Sequence, residues 1–328
     1  MAKQYRVVRK IASIPIVANG FDTRDLPMDY DYEAVGLRIN ASLQVTAGAT
    51  SVRAEAPCQL VPRVEIIADG KNNLVSCPFW ALSLGNYLRY AKDSGARATT
   101  PPSGVAIATY AVEALGIADF LQSDSARPKD TNFRSRGLSL FQIRLTFGAA
   151  GDAFVGGTVV FSGSPTVDVY ALQTVEEIGQ DGQFIDKPVG LAKVSYQEAA
   201  ITASNANFEV VLPAGNLIRS VLCRFEGGTT AGEPDASILN NLQLANGIDV
   251  RWNLSGVNTR ALNNLQFGQL TAGYYVADFM YQGQGGANMM GNLWDVSGRQ
   301  QPKAIMDVTG GGSRKVQVVT REIILAAA

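Results

Sequence analysis

Asp29, Asp31 and Glu33 stand at alternate positions near the start of the chain. Hard carboxylate oxygens spaced in this way can share a calcium ion. The glycine and the distal glutamate of a calcium loop are missing, so a solvated acidic turn is the favoured reading and these three remain the only metal candidates. The sequence contains no histidine, which removes Ser-His-Asp and Cys-His nucleophile systems and the usual three-histidine zinc sites. Cys58, Cys77 and Cys223 form an odd set without a CxxC spacing. They read as free buried thiols in a protein made in a reducing cytoplasm. A pair of carboxylates could hydrolyse a glycan without histidine, yet Glu209, Glu226 and Asp249 sit in no recognisable motif and read as solvent-facing strand or loop residues. No catalytic residue and no cofactor site is expected, and the chain is read as not an enzyme.

Two glycine-rich stretches invite a nucleotide reading. Gly148 to Gly157 lacks the Gly-Lys-Ser/Thr ending of a phosphate loop and joins strand to strand, so it is expected to be a flexible hairpin tip. Gly283 to Gly291 has Asn288 where a dinucleotide fingerprint needs glycine, and it follows no βαβ pattern. It reads as a long loop whose Met289, Met290 and Trp294 pack either on a neighbour or within their own domain. Trp80, Trp252 and Trp294 are the only tryptophans available as sugar platforms, and Trp80 follows an apolar strand where burial is favoured.

Charge restricts the partners. The 328 residues carry 28 basic and 29 acidic side chains, and only 17% of the chain is charged, which does not build a general nucleic-acid surface. No specific nucleic acid is expected. Lys3, Arg6, Arg9 and Lys10 precede the apolar run Ile11 to Ala18, but that run is short and contains Pro15, so secretion is not expected. No stretch approaches the ~18 uncharged apolar residues of a spanning helix; the nearest, Val105 to Leu121, is interrupted by Glu113 and Asp119. Any membrane contact is expected to be peripheral. Residues 1–33 lack a steady period, shift from basic to acidic, and read as an N-terminal arm.

The elements behind these residues are organised by an internal duplication. Val64-Glu-Ile-Ile-Ala-Asp-Gly70 returns as Leu242-Gln-Leu-Ala-Asn-Gly247, and the same offset carries Asn86 onto Asn263 and Leu88 onto Leu265. Each copy reads as a strand, a tight Asp-Gly or Asn-Gly turn, a second strand and a short helical or looped segment. Strict alternation marks Leu37 to Val45 as a half-buried strand. Further strands are expected at Ser51–Cys58, Val61–Ala68, Leu74–Phe79, Leu138–Phe147, Thr158–Ser162, Thr166–Val175, Ile218–Phe225, Tyr274–Tyr281, Ala304–Val308 and Lys315–Leu325, with helices at Leu82–Ala91 and Ile107–Leu121. Each half then holds about eight short strands, so the fold class is all-β, two tandem eight-stranded jelly-roll sandwiches with short helices in the loops. The expected divisions are an arm at 1–33, a first jelly roll at 34–178, a linker at 179–190 and a second jelly roll at 191–328.

This arrangement resembles the double jelly-roll major capsid proteins of tailless, lipid-containing icosahedral phages of the corticovirus, finnlakevirus and tectivirus kind. The resemblance spans most of the chain and rests on architecture. It implies a virion protein made in the host cytoplasm, a homotrimer whose six barrels form a pseudo-hexameric capsomer, and neighbouring capsomers and vertex or minor capsid proteins as partners. It also implies an N-terminal arm at the inner side, near neighbouring subunits or the lipid of an internal membrane, a place that suits Lys3, Arg6, Arg9 and Lys10. The competing readings are a viral spike or carbohydrate-binding module and a two-jelly-roll glycan hydrolase.

Overall fold

The computed structural model describes residues 5–48, 51–53, 55–90, 97–98, 108–120, 132–175, 190–227, 230, 232–279, 293–298 and 300–325. They fall into two compact units, one drawn from Met1–Leu121 and Asn132–Pro188, the other from Gln122–Thr131 and Val189–Ala328. The first unit contains β1 (Tyr5–Pro15), β2 (Phe21–Asp25), β3 (Asp31–Ala47), β4 (Ser51–Val52), β5 (Arg63–Ala68), β6 (Asn72–Cys77), helix α1 (Phe79–Tyr90), β7 (Arg97–Ala98), β8 (Ala108–Asp119), β9 (Phe141–Thr146), β10 (Phe154–Val155) and β11 (Thr158–Val175). The second contains β12 (Gly190–Ala200), β13 (Asn205–Val211), β14 (Leu217–Glu226), β15 (Leu239–Asn246), β16 (Asp249–Ser255), helix α2 (Gly256–Phe267), β17 (Tyr274–Asp278), β18 (Trp294–Asp295), β19 (Pro302–Val308) and β20 (Lys315–Leu325).

In the first unit one sheet runs β1-β11-β3-β8-β7 and the other β6-β5-β9-β2, with β4 and β10 as a small separate pair. In the second, β12-β20-β14-β17 forms one run, with β18 beside β14, and β13-β19-β15-β16 the other. Setting aside the two-residue strands leaves one pairing order, used twice. The opening strand lies beside the closing one, then the third and sixth; the second lies beside the seventh, then the fourth and fifth. Each unit also places its helix between the fifth and sixth strands. The repeat seen in the sequence is the piece that spans the fourth strand, the fifth strand and this helix.

Alternation drives the packing. On β3, Leu37, Ile39, Ala41, Leu43 and Val45 are all buried, and burying a side chain of the Val, Leu or Ile kind contributes about 1.5–3 kcal/mol. Tyr32, Phe133, Phe141 and Phe120 add an aromatic group with neighbouring ring centroids 4.9–5.6 Å apart. The core of the second unit joins Val221, Cys223 and Phe225 of β14 to Leu242 and Leu244 of β15, Met306 of β19, and Val316 and Val318 of β20.

The duplicated turns solve the same problem in two ways. Asp69 and Gly70 both have positive φ, 50° and 66°, and Lys71 N–H bonds Ala68 O at 3.3 Å, which is a type I′ turn. In the second copy Asn246 pairs with Asp249, and only Gly247, at 63°, has positive φ, as in a type II′ loop led by glycine. Asp69 is held further by Ser139 Oγ at 2.8 Å, Ser139 N at 2.7 Å and Leu140 N at 3.3 Å, all donating to Oδ1. These bonds lower its pKa, the Ser139 hydroxyl most. A carboxyl depressed in the folded state contributes stability above its unfolded value of about 3.9, and loses it as pH falls through the folded value. Asp69→Asn keeps the turn preference and removes the charge. It is expected to melt below wild type at neutral pH, with the two melting curves converging in acid; a gap independent of pH would contradict this account.

Helix α2 starts at Ser255, whose Oγ accepts from Asn258 N at 3.2 Å, a normal N-cap. Its Asn263, the repeat partner of Asn86, turns inward. The side-chain nitrogen donates to Val276 O at 2.7 Å, and Val276 N donates back to the side-chain oxygen at 2.9 Å. The amide thus satisfies the free edge of β17 as a neighbouring strand would. Asn263→Ala is expected to cost about 1–3 kcal/mol for each backbone group left without a partner. Urea midpoints, with unchanged slope, measure the loss.

Several expectations need correction. Ile107–Leu121, expected as a helix, is described over Ala108–Asp119 as strand β8, between β3 and β7. Val112, Ala114 and Ala118 are buried and Leu115 is exposed, a two-residue period that the small side chains blur into a helical stripe. The arm expected at 1–33 contributes β1, β2 and the start of β3 to the first unit, because β1 finds a full-length partner in β11. Ser51–Cys58 is only partly strand and passes into a 3-10 turn at Ala56–Leu60, started by Pro57. Thr158–Ser162 and Thr166–Val175 are one strand with a register break between them. The tip at Gly148–Gly157 is built: Ala150 and Ala153 are buried, Gly148 N bonds Leu60 O at 3.1 Å, and Ala149 N bonds Asp152 Oδ2 at 2.7 Å. Strand β12 begins where the linker was expected to end. Most of that linker, with Asn288, Met289 and Met290, lies outside the described residues.

Candidate assembly surfaces

The basic and acidic clusters of the N-terminal stretch meet each other. Strand β1 is an edge strand, and little of it beyond Ile14 is buried. It is held by its ladder with β11 and by three ion pairs. Arg6 reaches Glu33 at 2.6 Å, Arg9 pairs with Asp29, and Lys10 reaches Asp168 at 2.8 Å. Ser13 donates to Asp168 at 2.6 Å, Arg9 Nε donates to Gln173 at 3.1 Å, and Thr174 donates to Glu33. Burial opposes the charge on Asp168, but Lys10 and Ser13 hold its pKa below the usual carboxylate value. Burial raises that of Asp31 against the pull of Arg134 and Arg136.

Asp29, Asp31 and Glu33 therefore do not converge on a shared cation. Asp29 faces Arg9, Asp31 lies 4.0 Å from Arg134, and Glu33 faces Arg6. Among the described residues no group of three or more His, Cys, Asp or Glu could hold a metal ion, and no helix is long and apolar enough to cross a membrane. The other carboxylates are also dispersed. Glu209 on β13 pairs with Lys303 at 2.6 Å, and Asp249 on β16 pairs with Arg251 at 2.9 Å. Glu226, expected to face solvent, is buried on β14 against Arg224 and is 2.8 Å from Lys315. Trp80 and Trp294 are buried and Trp252 packs against the second core, so no tryptophan stands open as a sugar platform. Trp294 settles into its own unit, its ring centroid 5.7 Å from that of Phe279. The three cysteines are free and buried; burial pushes the Cys223 thiol up to about 12, which leaves it inert at neutral pH.

The surface bears large apolar side chains. Phe21 on β2 is 64% exposed with the Arg144 guanidinium 4.7 Å above its ring. Ile248, at the tip of the β15–β16 turn, is 99% exposed, and Val257 and Leu265 on α2 are 79% and 80% exposed. Scattered apolar exposure is ordinary; grouped exposure marks contact sites.

No protein-family model and no curated protein matches the chain, whereas solved structures do. The crystal structure of the STIV MCP, from Sulfolobus turreted icosahedral virus, is similar with a TM-score of 0.73 at 14% identity, over 98% of this chain and 97% of that one. The major capsid protein from bacteriophage PM2 is similar with a TM-score of 0.61 at 12% identity, over 98% of each chain. The PBCV-1 virus capsid model gives 0.55 at 12% identity, over 100% of this chain and 98% of that one. Both lengths are covered from end to end, and the pairing order occurs twice. The chain is a double jelly roll.

In a double jelly roll the first strand of each unit must lie beside the last. That rule explains why residues 5–15 belong to a sheet, and alternation alone does not reveal it. The exposed stripe on α2 was also missed. Its signal, Val257, Ala261 and Leu265 at four-residue spacing without a charge, was present in the repeat but was read only as a short helical or looped segment.

Proposed function

We propose that this double jelly roll is a major capsid protein, a structural tile of an icosahedral virion. The observation that carries the reading is the end-to-end likeness to viral capsid subunits with the strand order intact in both units. At the identities found, that likeness fixes the fold; the function is inferred from it. Three copies would present six similar sandwiches, a pseudo-hexameric capsomer able to meet six neighbours, with vertex or minor capsid proteins as further partners. The near-balanced charge of the chain, 28 against 29, imposes little self-repulsion on close packing. A contact between the N-terminus and an internal membrane has less to draw on than the sequence implied, since Arg6, Arg9 and Lys10 are each engaged by a carboxylate. The spike and hydrolase readings gain no site from the dispersed carboxylates and covered tryptophans.

The test is the native mass of the purified chain by light scattering over a range of concentrations, followed by electron microscopy. A species of three chains, forming hexagonal plates or shells, is the expected result. A monomer at every concentration would overturn the reading.

A further inference from the structure

We propose that Asn246 is a site of covalent self-modification, where Gly247 N closes on the Asn246 side chain, ammonia leaves, and water opens the ring to aspartate or isoaspartate. The inference concerns the folded chain and does not depend on what it assembles into.

The reaction needs an asparagine followed by a residue whose backbone nitrogen can approach the side-chain carbonyl carbon. Glycine, with no Cβ, hinders that approach least. The chain holds two such pairs, both in the same tripeptide, Ala18-Asn19-Gly20 and Ala245-Asn246-Gly247. Gly247 N attacks Asn246 Cγ, and the new C–N bond closes a succinimide as the Cγ–Nδ2 bond breaks. The proton lost by Gly247 N leaves with the side-chain nitrogen as ammonia. One water then adds to a ring carbonyl: at Cγ it restores the normal backbone with an aspartate, and at the backbone carbonyl it leaves an isoaspartate.

The tripeptide does not separate the two sites, but the fold does. The nitrogen must lose its proton to attack, and a hydrogen bond made by the neutral N–H opposes that loss. Gly20 N donates to Val17 O at 2.9 Å, and Gly20 O accepts from Phe147 N at 2.8 Å, so Gly20 is pinned through both groups. Asn246 and Gly247 instead lie at the tip of β15–β16, where the last ladder pair is Asn246 with Asp249. Among the described residues no backbone acceptor takes Gly247 N, and no partner bonds Asn246 Oδ1. The attacking nitrogen is unengaged and the amide oxygen unrestrained. Ile248 beside them is 99% exposed, so water reaches the tip. Asp69-Gly70 could close the same ring only as the neutral acid, whereas the Ser139 and Leu140 donors hold it as the carboxylate. Asp181-Gly182 lies outside the described residues.

The products disturb the turn. Isoaspartate routes the backbone through the side-chain carbon and lengthens a loop whose length sets the hairpin register. Either product also places a carboxylate near Asp249, which already occupies Arg251 at 2.9 Å.

Peptide mapping by mass spectrometry tests this on the purified chain, held folded at mildly alkaline pH and, in parallel, unfolded in urea. In the folded chain Asn246 is expected to convert about fivefold faster than Asn19 or more, the factor one hydrogen bond of ordinary net strength supports. In urea, where the shared tripeptide decides, the two are expected to react alike. Equal conversion in the folded chain, an unreactive Asn246 there, or the same preference in urea would each overturn the proposal. Asn246→Gln, whose longer side chain closes a ring far more slowly, is expected to stop the ammonia release assigned to this site. Gly247→Ala is no substitute, because the end of the Gln300 side chain occupies the place of the added carbon. If Asn246→Gln fails to fold, the wild-type comparison of the two sites decides alone.

Discussion

Glu226→Ala is expected to lower stability by about 3–5 kcal/mol, the range for removing one partner of a buried ion pair. Arg224 is 1% exposed and Glu226 4%, on a strand whose alternate residues Val221, Cys223 and Phe225 are also buried. The pair belongs to a ladder across three strands. Arg224 lies opposite Gln317, and Glu226 opposite Lys315. Arg224 donates to Gln317 at 3.2 Å, and Gln317 donates to Glu198 on β12 at 2.9 Å. Lys315 reaches both Glu226, at 2.8 Å, and Glu198, at 3.2 Å. Alanine at 226 leaves the Arg224 guanidinium without its buried carboxylate, where water cannot take over. The double change Arg224→Met, Glu226→Leu removes both charges and is expected to fall far nearer wild type, since a well-packed apolar pair often replaces a buried ion pair without loss. Urea denaturation of both variants decides the matter. If Glu226→Ala costs under about 1 kcal/mol, the pair behaves as a surface bridge.

Gly310→Ala is expected to be comparably severe, by a steric route. A methyl group on Gly310 would stand 1.9 Å from the Ala203 carbonyl carbon and 2.4 Å from Ser204 N. Both are backbone atoms, so no rotamer change relieves the clash. The two segments are also tied by Gly310 N to Ser204 Oγ at 3.0 Å and Gly311 N to Ile201 O at 3.3 Å, so separating them breaks bonds as well. Few single substitutions exceed about 4 kcal/mol, and forced backbone displacement is one of the routes. Loss of soluble, folded protein, or a melting temperature lowered by more than about 10 °C, is the expected readout. Gly311→Ala provides the contrast: nothing lies within 4 Å of its added carbon, although its φ of 120° leaves a strain term.

Much of the fold was legible because its signals are local. Lys315–Leu325 emerged as β20 with both ends in place, and the alternation at Leu37–Val45 marked the central strand β3. The repeat located two tight turns correctly, though it did not reveal that one begins at Asp69 and the other at Gly247. What stayed hidden depends on distant partners. The inward side of β8 includes Ala114, Gly116 and Ala118, too small to impose a two-residue rhythm on the eye. The charges of β1 read as part of an N-terminal arm because their carboxylates lie elsewhere, Asp29 in the loop before β3, Glu33 on β3 and Asp168 on β11. Glu226 read as a solvent residue because its burial depends on where β14 and β20 meet, which local pattern does not encode.

The strand that opens each unit pairs with the strand that closes it: Tyr5 lies opposite Val175, and Gly190 opposite Leu325. Neither sandwich can close until its last residues leave the ribosome. At about 5–20 residues per second, β1 waits on the order of ten seconds or more for β11. During that interval its Arg6, Arg9, Lys10 and Pro15 interrupt what would otherwise be a bare apolar edge, the feature that deters premature pairing between nascent chains. Under the proposed capsid function, assembly before folding would be ruinous, and the charges that clip β1 in the finished unit would also guard it while it waits.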